Sequence, residues 1–394
     1  MNQEYKIRVL RTFNELEEIH DFWQAMVRHP NTDYDFYATI VRSRPEVQGP
    51  AVFVLYHFTT PVAMLIGRIE EAPMDVKFGY VTLPTPRLRQ LVLLYGGVCG
   101  EVTDLAAKLF FREIKALLKQ KVVDAVVFNY LPRDSNLFTA MTNQIPFGCR
   151  DHVLLPNPHW STRLPKTLDE FMNKIAKNHR YGIRRQAKIL EAAFPNEVEV
   201  LCLTKDGEVQ KLCTDSERIA GKTYQRSLGV LALDSREMLE RLSVHARSGS
   251  LRGYVLYIRK EPCAFWIGTL YKGVFFMDFT GYDTRYQTFA IGTYLFMKLI
   301  EDLCRNTTAS SLDFGFGDAV YKKKFGDTSW PEMTVMLFPA TVKGITLNAL
   351  RQTTALLTLG ITRVFSNRFL QAVKTRWRKQ RAEKLKNEPA QVNA

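Results

Sequence analysis

Apolar and polar positions fall into blocks along the chain, and the period changes from block to block. Val274-Phe275-Phe276-Met277-Asp278-Phe279-Thr280 is apolar and aromatic almost throughout, yet too short for a typical helix. That pattern predicts a buried strand. Gly281-Tyr282-Asp283 breaks it. From Ala290 to Arg305, Ile291, Leu295, Phe296, Leu299, Ile300 and Leu303 recur at helical spacing, so a helix with one apolar face follows. Ser311 to Phe316 predicts a second short strand, ended by Gly315, Gly317 and Asp318. Strand, helix and parallel strand make a βαβ unit. Its helix N-terminus lies beside the carboxyl end of the first strand, where anionic ligands bind.

The same grammar can be read upstream. A helical stretch from Asn14 to Val27 leads to strands Ala51 to Tyr56 and Val62 to Ile69, joined at Thr59-Thr60-Pro61. Leu91 to Gly97 is a further strand, followed by a helix from Asp104 to Lys119 and a strand from Ala125 to Tyr130. Residues 161 to about 340 repeat this order. A helix from Leu168 to Ala192 opens with Thr167 and Glu170 at capping-box spacing, and a second helical stretch spans Gly207 to Arg226. A hairpin (Gly253 to Arg259, then Cys263 to Tyr271) precedes the βαβ unit. The halves share element order rather than sequence. The expected architecture is two mixed α/β (α+β) domains, 1–160 and 161–340, each a twisted mixed sheet flanked by helices. Residues 341–394 form a basic amphipathic helical tail with a disordered end.

Charge changes the picture only once it is located. The chain has 394 residues and a net charge of +14, which suggests nucleic acid. From Thr341 to Ala394, however, eleven Lys/Arg face two Glu, leaving 43 basic and 38 acidic residues in the rest. The body gives little support for nucleic-acid binding. The six cysteines are scattered with no CxxC pair, so a reducing cytoplasm is expected and neither a zinc site nor a disulfide framework is suggested. The beginning of the sequence shows no secretory signal, and no uncharged apolar run approaches the ~20 residues that span a bilayer.

Four places carry candidate chemistry. In Gln287-Thr288-Phe289-Ala290-Ile291-Gly292, small residues at 290 and 292 let a diphosphate approach the backbone, or merely allow close helix–strand packing. Asp278 is a carboxylate in an apolar strand, suited by burial to general-base work, or else paired with a cation. Asp318 is placed either to orient an acceptor amine or to cap a helix. Lys177, Arg180, Arg184 and Lys188 give one basic helix face without acidic partners, either solvated or binding a phosphate group. The histidines have no metal-ligand spacing and receive no role.

Gln287, Ala290 and Gly292 resemble the Gln/Arg-x-x-Gly-x-Gly/Ala phosphate loop of the GNAT acyltransferase superfamily, with Ala290 in place of the usual first Gly. Tyr321-Lys322-Lys323-Lys324-Phe325-Gly326 is similar to the Tyr-x-x-x-Gly-Phe segment of that superfamily, with Phe and Gly reversed. The longer run Gly281-Tyr282-Asp283, Gly292-Thr293, Asp313-Phe314-Gly315-x-Gly317-Asp318-x-x-Tyr321-Lys322 looks like a narrower group. These are the two-domain, CelD-like (BcsL-like) proteins of polysaccharide gene clusters, related to Fem-type transferases.

The resemblance implies tandem GNAT-like domains, the first degenerate, and transfer from acetyl-CoA or another acyl-CoA to an amino sugar or a related glycan or lipid-linked acceptor. It implies that Phe279, Thr280, Gln287, Ala290, Ile291, Gly292, Thr293 and Lys322 bind the co-substrate. Backbone N–H groups from Phe276 to Thr280 would polarise the thioester, and Tyr321 would act as the acid for the departing thiolate. Arg180, Arg184 and Lys188 would bind phosphate. Two rivals remain: a Fem-type transferase using aminoacyl-tRNA, and a non-catalytic scaffold of polysaccharide assembly. The tail either packs Leu357, Ile361 and Val364 on the domains, with a solvated basic end, or lies on an anionic inner membrane leaflet.

Overall fold

The computed structural model describes residues 4–364 apart from residues 75, 79–80, 155 and 223–231. The chain begins with β1 (Tyr5–Leu10), α1 (Phe13–Glu17), α2 (His20–Met26), α3 (Tyr34–Ser43), β2 (Val47–His57) and β3 (Thr60–Pro73). A small ladder, β4 (Lys77–Phe78) with β5 (Val81–Thr82), precedes β6 (Arg87–Gly100), α4 (Asp104–Lys119), β7 (Ala125–Pro132) and α5 (Asn136–Gln144). Next come β8 (Asn157–Arg163), α6 (Leu168–Asn173), α7 (Lys177–Ala193), β9 (Val198–Leu203), α8 (Val209–Ala220) and α9 (Arg236–Arg247). The chain continues through β10 (Leu251–Ile258), β11 (Glu261–Tyr271), β12 (Val274–Tyr282), α10 (Ile291–Asn306), β13 (Ser311–Phe316) and α11 (Val320–Phe325), then β14 (Thr328–Leu337) and α12 (Val342–Val364).

Two compact units result. One holds residues up to 158 together with 330–364; the other holds 159–329. The first has strand order β1-β2-β3-β6-β7-β14, in which β6 and β7 are parallel and β14 is antiparallel to β7. The second has order β9-β10-β11-β12-β13-β8, with β12 and β13 parallel and β8 antiparallel to β13. These are the same topology. Each unit makes its parallel pair through one helix, α4 or α10, because parallel neighbours need a crossover. The expected mixed α/β architecture, built twice, is observed.

Apolar periodicity explains the placement of both crossover helices. On α4, Ala107, Phe110, Phe111, Ile114 and Leu118 are buried in the first core. On α10, the six apolar residues of the sequence pattern are all buried, against Tyr254, Trp266, Phe275 and Phe314 of the sheet. The opposite face of the second sheet is covered by α8 and α9, with Leu212, Cys213, Met238 and Leu242 on Val255 and Ile267.

Two predicted helices are divided. The Asn14–Val27 stretch is α1 and α2, and the Leu168–Ala192 stretch is α6 and α7. Ala176 takes an extended ψ of 139° at the second break. The Thr167 hydroxyl caps α6, accepting from the Glu170 N–H at 3.2 Å, but the Glu170 carboxylate receives Lys166 N–H instead of closing the box. Among the described residues no helix is long and apolar enough to cross a membrane.

Candidate functional site

The site is built at the carboxyl ends of β12 and β13. Asp283, at the end of β12, is buried and accepts from the Arg285 guanidinium at 2.7 Å and from Lys222 Nζ at 3.1 Å. It also accepts from the Arg285 N–H at 3.0 Å. These bonds, the Arg285 side chain foremost, pull its pKa down to about 2 against the opposing effect of burial. A fixed carboxylate therefore pins the start of the 284–289 turn, which delivers the chain to Ala290.

Ala290 has φ 51° and ψ 39°, a left-handed conformation that costs a residue with a Cβ roughly 1–2 kcal/mol. The substitution for glycine in the loop thus keeps glycine's backbone conformation. The Ala290 carbonyl receives the Thr293 and Tyr294 N–H groups at 2.9 and 3.0 Å, and no side chain caps α10. The Ile291 and Gly292 N–H groups of the first turn are outside the intrahelical ladder. Ile291 buries its side chain in the core, so only its backbone is offered. A Cβ on Gly292 would meet only the Tyr282 ring, at 3.6 Å. Gln287 is exposed, and its carbonyl accepts from the Ala290 N–H at 3.1 Å.

Beside this terminus the two parallel strands part. β12 pairs with β13 only at Val274, Phe275 and Phe276, although both strands continue. On its other edge β12 bulges: Gly268 pairs with Met277 and Ile267 with Phe279, leaving Asp278 as the extra residue. A bulge re-aims side chains and adds twist. It turns Phe279 toward the α8/α9 core, while Met277 packs on the α10 core. Thr280 anchors the strand by donating to the Phe265 carbonyl at 3.1 Å.

Asp278 is open to solvent yet closely surrounded by protein. Partial desolvation, helped by the charge of Asp313, outweighs Arg241 and a 3.2 Å bond from the Thr269 hydroxyl, and its pKa rises to about 6. Asp313 lies on β13 at the last paired position and joins three further groups. Its Oδ1 is 2.7 Å from His159 Nε2 and accepts the Gly315 N–H at 2.7 Å. It also acts electrostatically on Lys322, which is buried, donates to the Phe316 carbonyl, and has its pKa lowered by desolvation to about 8. Tyr321 stands edge-on to Trp266 at 5.4 Å and to Phe314 at 6.1 Å.

The strands thus bring Asp278, Asp313, His159 and Lys322 into one electrostatic cluster, with Tyr321 packed on the same core. Asp313 and His159 received no role in the sequence reading. His159 is fully buried and 154 residues from its partner, so no local spacing could reveal it. Asp318 does not join them. It is exposed and pairs with Lys323 at 2.8 Å, and the cap position of α11 is Ala319.

A groove of about 430 Å³ runs between α7 and α10, and its walls include Arg184, Arg185, Ala290, Thr293, Lys298 and Lys324. Arg184 and the α10 terminus therefore share one surface. The expectation of a basic face without acidic partners is corrected here. Arg184 lies 3.3 Å from Asp169 across an exposed pair, and Arg180 bonds to Asn173. Lys188 is exposed and outside the groove wall.

Residues 177–323 match the family model described as an acetyltransferase (GNAT) domain. The second unit has the GNAT fold. The crystal structure of FemX is similar at a TM-score of 0.59 and 11% identity, over 88% of this chain and 100% of that one. A conserved protein of unknown function from Bacteroides thetaiotaomicron is similar at 0.50 and 12%, over 84% and 100%. A tandem GNAT protein from the clavulanic acid biosynthesis pathway scores 0.49 at 10% identity, over 84% and 98%. At such identities, the likeness to the first two is one of fold. No curated protein matches the sequence.

The two crossover helices differ at their N-termini. The crossover helix of the first unit, α4, is capped by Thr103, whose hydroxyl accepts from Ala106 N–H at 3.2 Å, and Asp104 stands in its first turn. A filled cap and a carboxylate disfavour an added anion. The α10 terminus of the GNAT domain has neither.

Proposed function

We propose that the GNAT domain transfers an acetyl group from acetyl-CoA to the amine of an amino sugar or a related polysaccharide or envelope precursor. The observation that carries this reading is the left-handed, uncapped start of α10 beside the point where β12 and β13 part. The co-substrate would supply an activated thioester. Ile291 and Gly292 N–H groups and the Thr293 hydroxyl would hold its diphosphate, favoured by the helix dipole by about 1 kcal/mol. Arg184, Arg185 and Lys324 in the adjoining groove would take a further phosphate.

The β12 edge from Met277 to Thr280, released from β13, offers backbone N–H groups where charge develops on the carbonyl oxygen. Asp278, with a pKa of about 6, is largely ionised at neutral pH and still basic enough to accept a proton from the attacking amine. Tyr321 would return a proton to the departing sulfur. Asp313, held by His159 and Gly315 N–H, positions the turn after β13 and keeps a negative charge near Asp278. Asp318 and Lys188 have no part in this scheme.

Labelled acetyl-CoA offered with a panel of amino sugars tests the reading. Label should move to an amine in a manner dependent on Asp278. Transfer supported by aminoacyl-tRNA and not by any acyl-CoA would replace it with a Fem-type reaction, and no transfer from either would leave a scaffold.

A further inference from the structure

Helix α12 of the first unit is amphipathic in the reverse sense. Apart from Leu347, which packs on the first unit's core, the side chains it turns toward the protein are mostly polar. Asn348, Gln352 and Thr354 are buried; Asn348 donates to the Gly148 and Arg150 carbonyls at 2.9 Å, and Arg351 pairs with buried Asp151 at 3.0 Å. Gln352 Oε1 accepts from Val153 N–H at 2.7 Å. Large apolar side chains face outward, with the small exposed Thr346 and Thr353 among them: Val342 is 85% exposed, Ile345 46%, Leu350 43%, Leu356 55% and Leu357 52%. At about 100° per residue these five fall within an arc of roughly 140°, opposite Arg351. Leu357 therefore does not pack on the domain, as one reading of the sequence expected. Ile361 and Val364, the other residues of that expectation, have side chains outside the described residues.

An outward apolar stripe of this kind marks an interaction surface. We propose that α12 lies flat on an anionic lipid surface, its Ile345–Leu357 face entering the headgroup boundary. Charge selects the occupant. The sequence from Thr341 onward carries eleven Lys/Arg and two Glu; apart from Lys343 and Arg351, every one of those cations follows the apolar stripe. Apolar burial plus basic residues is the combination that holds a helix on an anionic bilayer. A second copy of this chain would instead bring two basic segments together. Because the buried polar contacts of α12 already fix it to the first unit, docking needs no refolding of that helix.

The test is flotation of the full chain with vesicles of phosphatidylcholine alone or mixed with phosphatidylglycerol. Binding to the mixed vesicles is expected, weakening as salt rises and falling by about tenfold or more in the double variant Leu356→Asn/Leu357→Asn, which removes two exposed apolar groups. A urea-unfolding transition unchanged from wild type would show that the variant is folded. The inference is overturned if the chain floats with neither vesicle, or if the double variant floats as well as wild type. It is equally overturned if the chain self-associates without lipid, by sedimentation, and the same substitutions abolish that association.

Discussion

Replacing Asp278 with Asn should make the protein more stable and less active at once. The folded state raises the carboxyl pKa from 3.8 to about 6. At about 1.36 kcal/mol per unit the ionised form would cost the fold about 3 kcal/mol. Solvent reaches this side chain, so screening reduces the figure to about 1 kcal/mol. A carboxyl whose folded pKa is raised is best tolerated below its unfolded pKa, and that advantage is lost as pH rises through about 6. Asn has no such dependence. Urea unfolding should therefore show the stability of Asp278→Asn relative to wild type increasing from about pH 4 to pH 6 and levelling off above it. In parallel, kcat for acetyl transfer should fall by about a hundredfold or more, and the acidic limb of the pH–rate profile near pH 6 should disappear. Gained stability with lost turnover marks a residue kept for chemistry. A stability difference that does not change with pH, or a variant less stable than wild type at pH 8, would refute the reasoning.

Three other outcomes are expected. Tyr321→Phe should lower kcat while leaving acetyl-CoA affinity nearly unchanged, because the ring contacts with Trp266 and Phe314 survive; calorimetry beside steady-state kinetics checks this. Asp283→Ala should cost about 2 kcal/mol at pH 7, since a buried cap and ion pair are lost together, and should weaken acetyl-CoA binding by loosening the 284–289 turn. The Asp283 pKa is held near 2, so its contribution is present above about pH 4 and fades as pH falls toward 2, which thermal unfolding across that range would reveal. His159→Gln, which gives up the 2.7 Å bond to Asp313, should destabilise the fold by about 1–3 kcal/mol and alter the pH profile of Asp278, read by the same unfolding series.

Much of this fold was legible because its two crossover helices carry unbroken apolar periodicity and its inner strands are apolar throughout. The predicted Asp104–Lys119 helix has the bounds of α4, and α10 begins one residue after the predicted start. The outer strands were not legible. Asn157-Pro158-His159-Trp160-Ser161-Thr162-Arg163 and Thr328-Ser329-Trp330-Pro331-Glu332 carry no unbroken apolar run. They become strands through pairing with β13 and β7, far away in sequence. The break between α6 and α7 was hidden because Lys174-Ile175-Ala176 suits a helix; Lys174 instead reaches Asp327 at 2.8 Å and the Arg163 carbonyl.

The site divides in the same way. The turn into α10 could be read because it is local backbone geometry, and Ala290 adopts the left-handed conformation at a cost in strain rather than by being glycine. The His159–Asp313 contact could not, since it depends on the register of β8 against β13. The partners of Arg184 were missed because Asp169 belongs to a separate short helix, created by a break that the sequence does not announce.

The central claim, that the start of α10 is a co-substrate site, is tested most directly by titrating acetyl-CoA into the full chain by calorimetry, with Gly292→Glu as the comparison. The space around Gly292 admits a side chain without disturbing the core, so the variant should fold while its carboxylate occupies the position of the diphosphate. Saturable binding of one acetyl-CoA per chain, abolished by Gly292→Glu, is the predicted result. No binding to the wild-type chain, or binding that Gly292→Glu leaves intact, would contradict it.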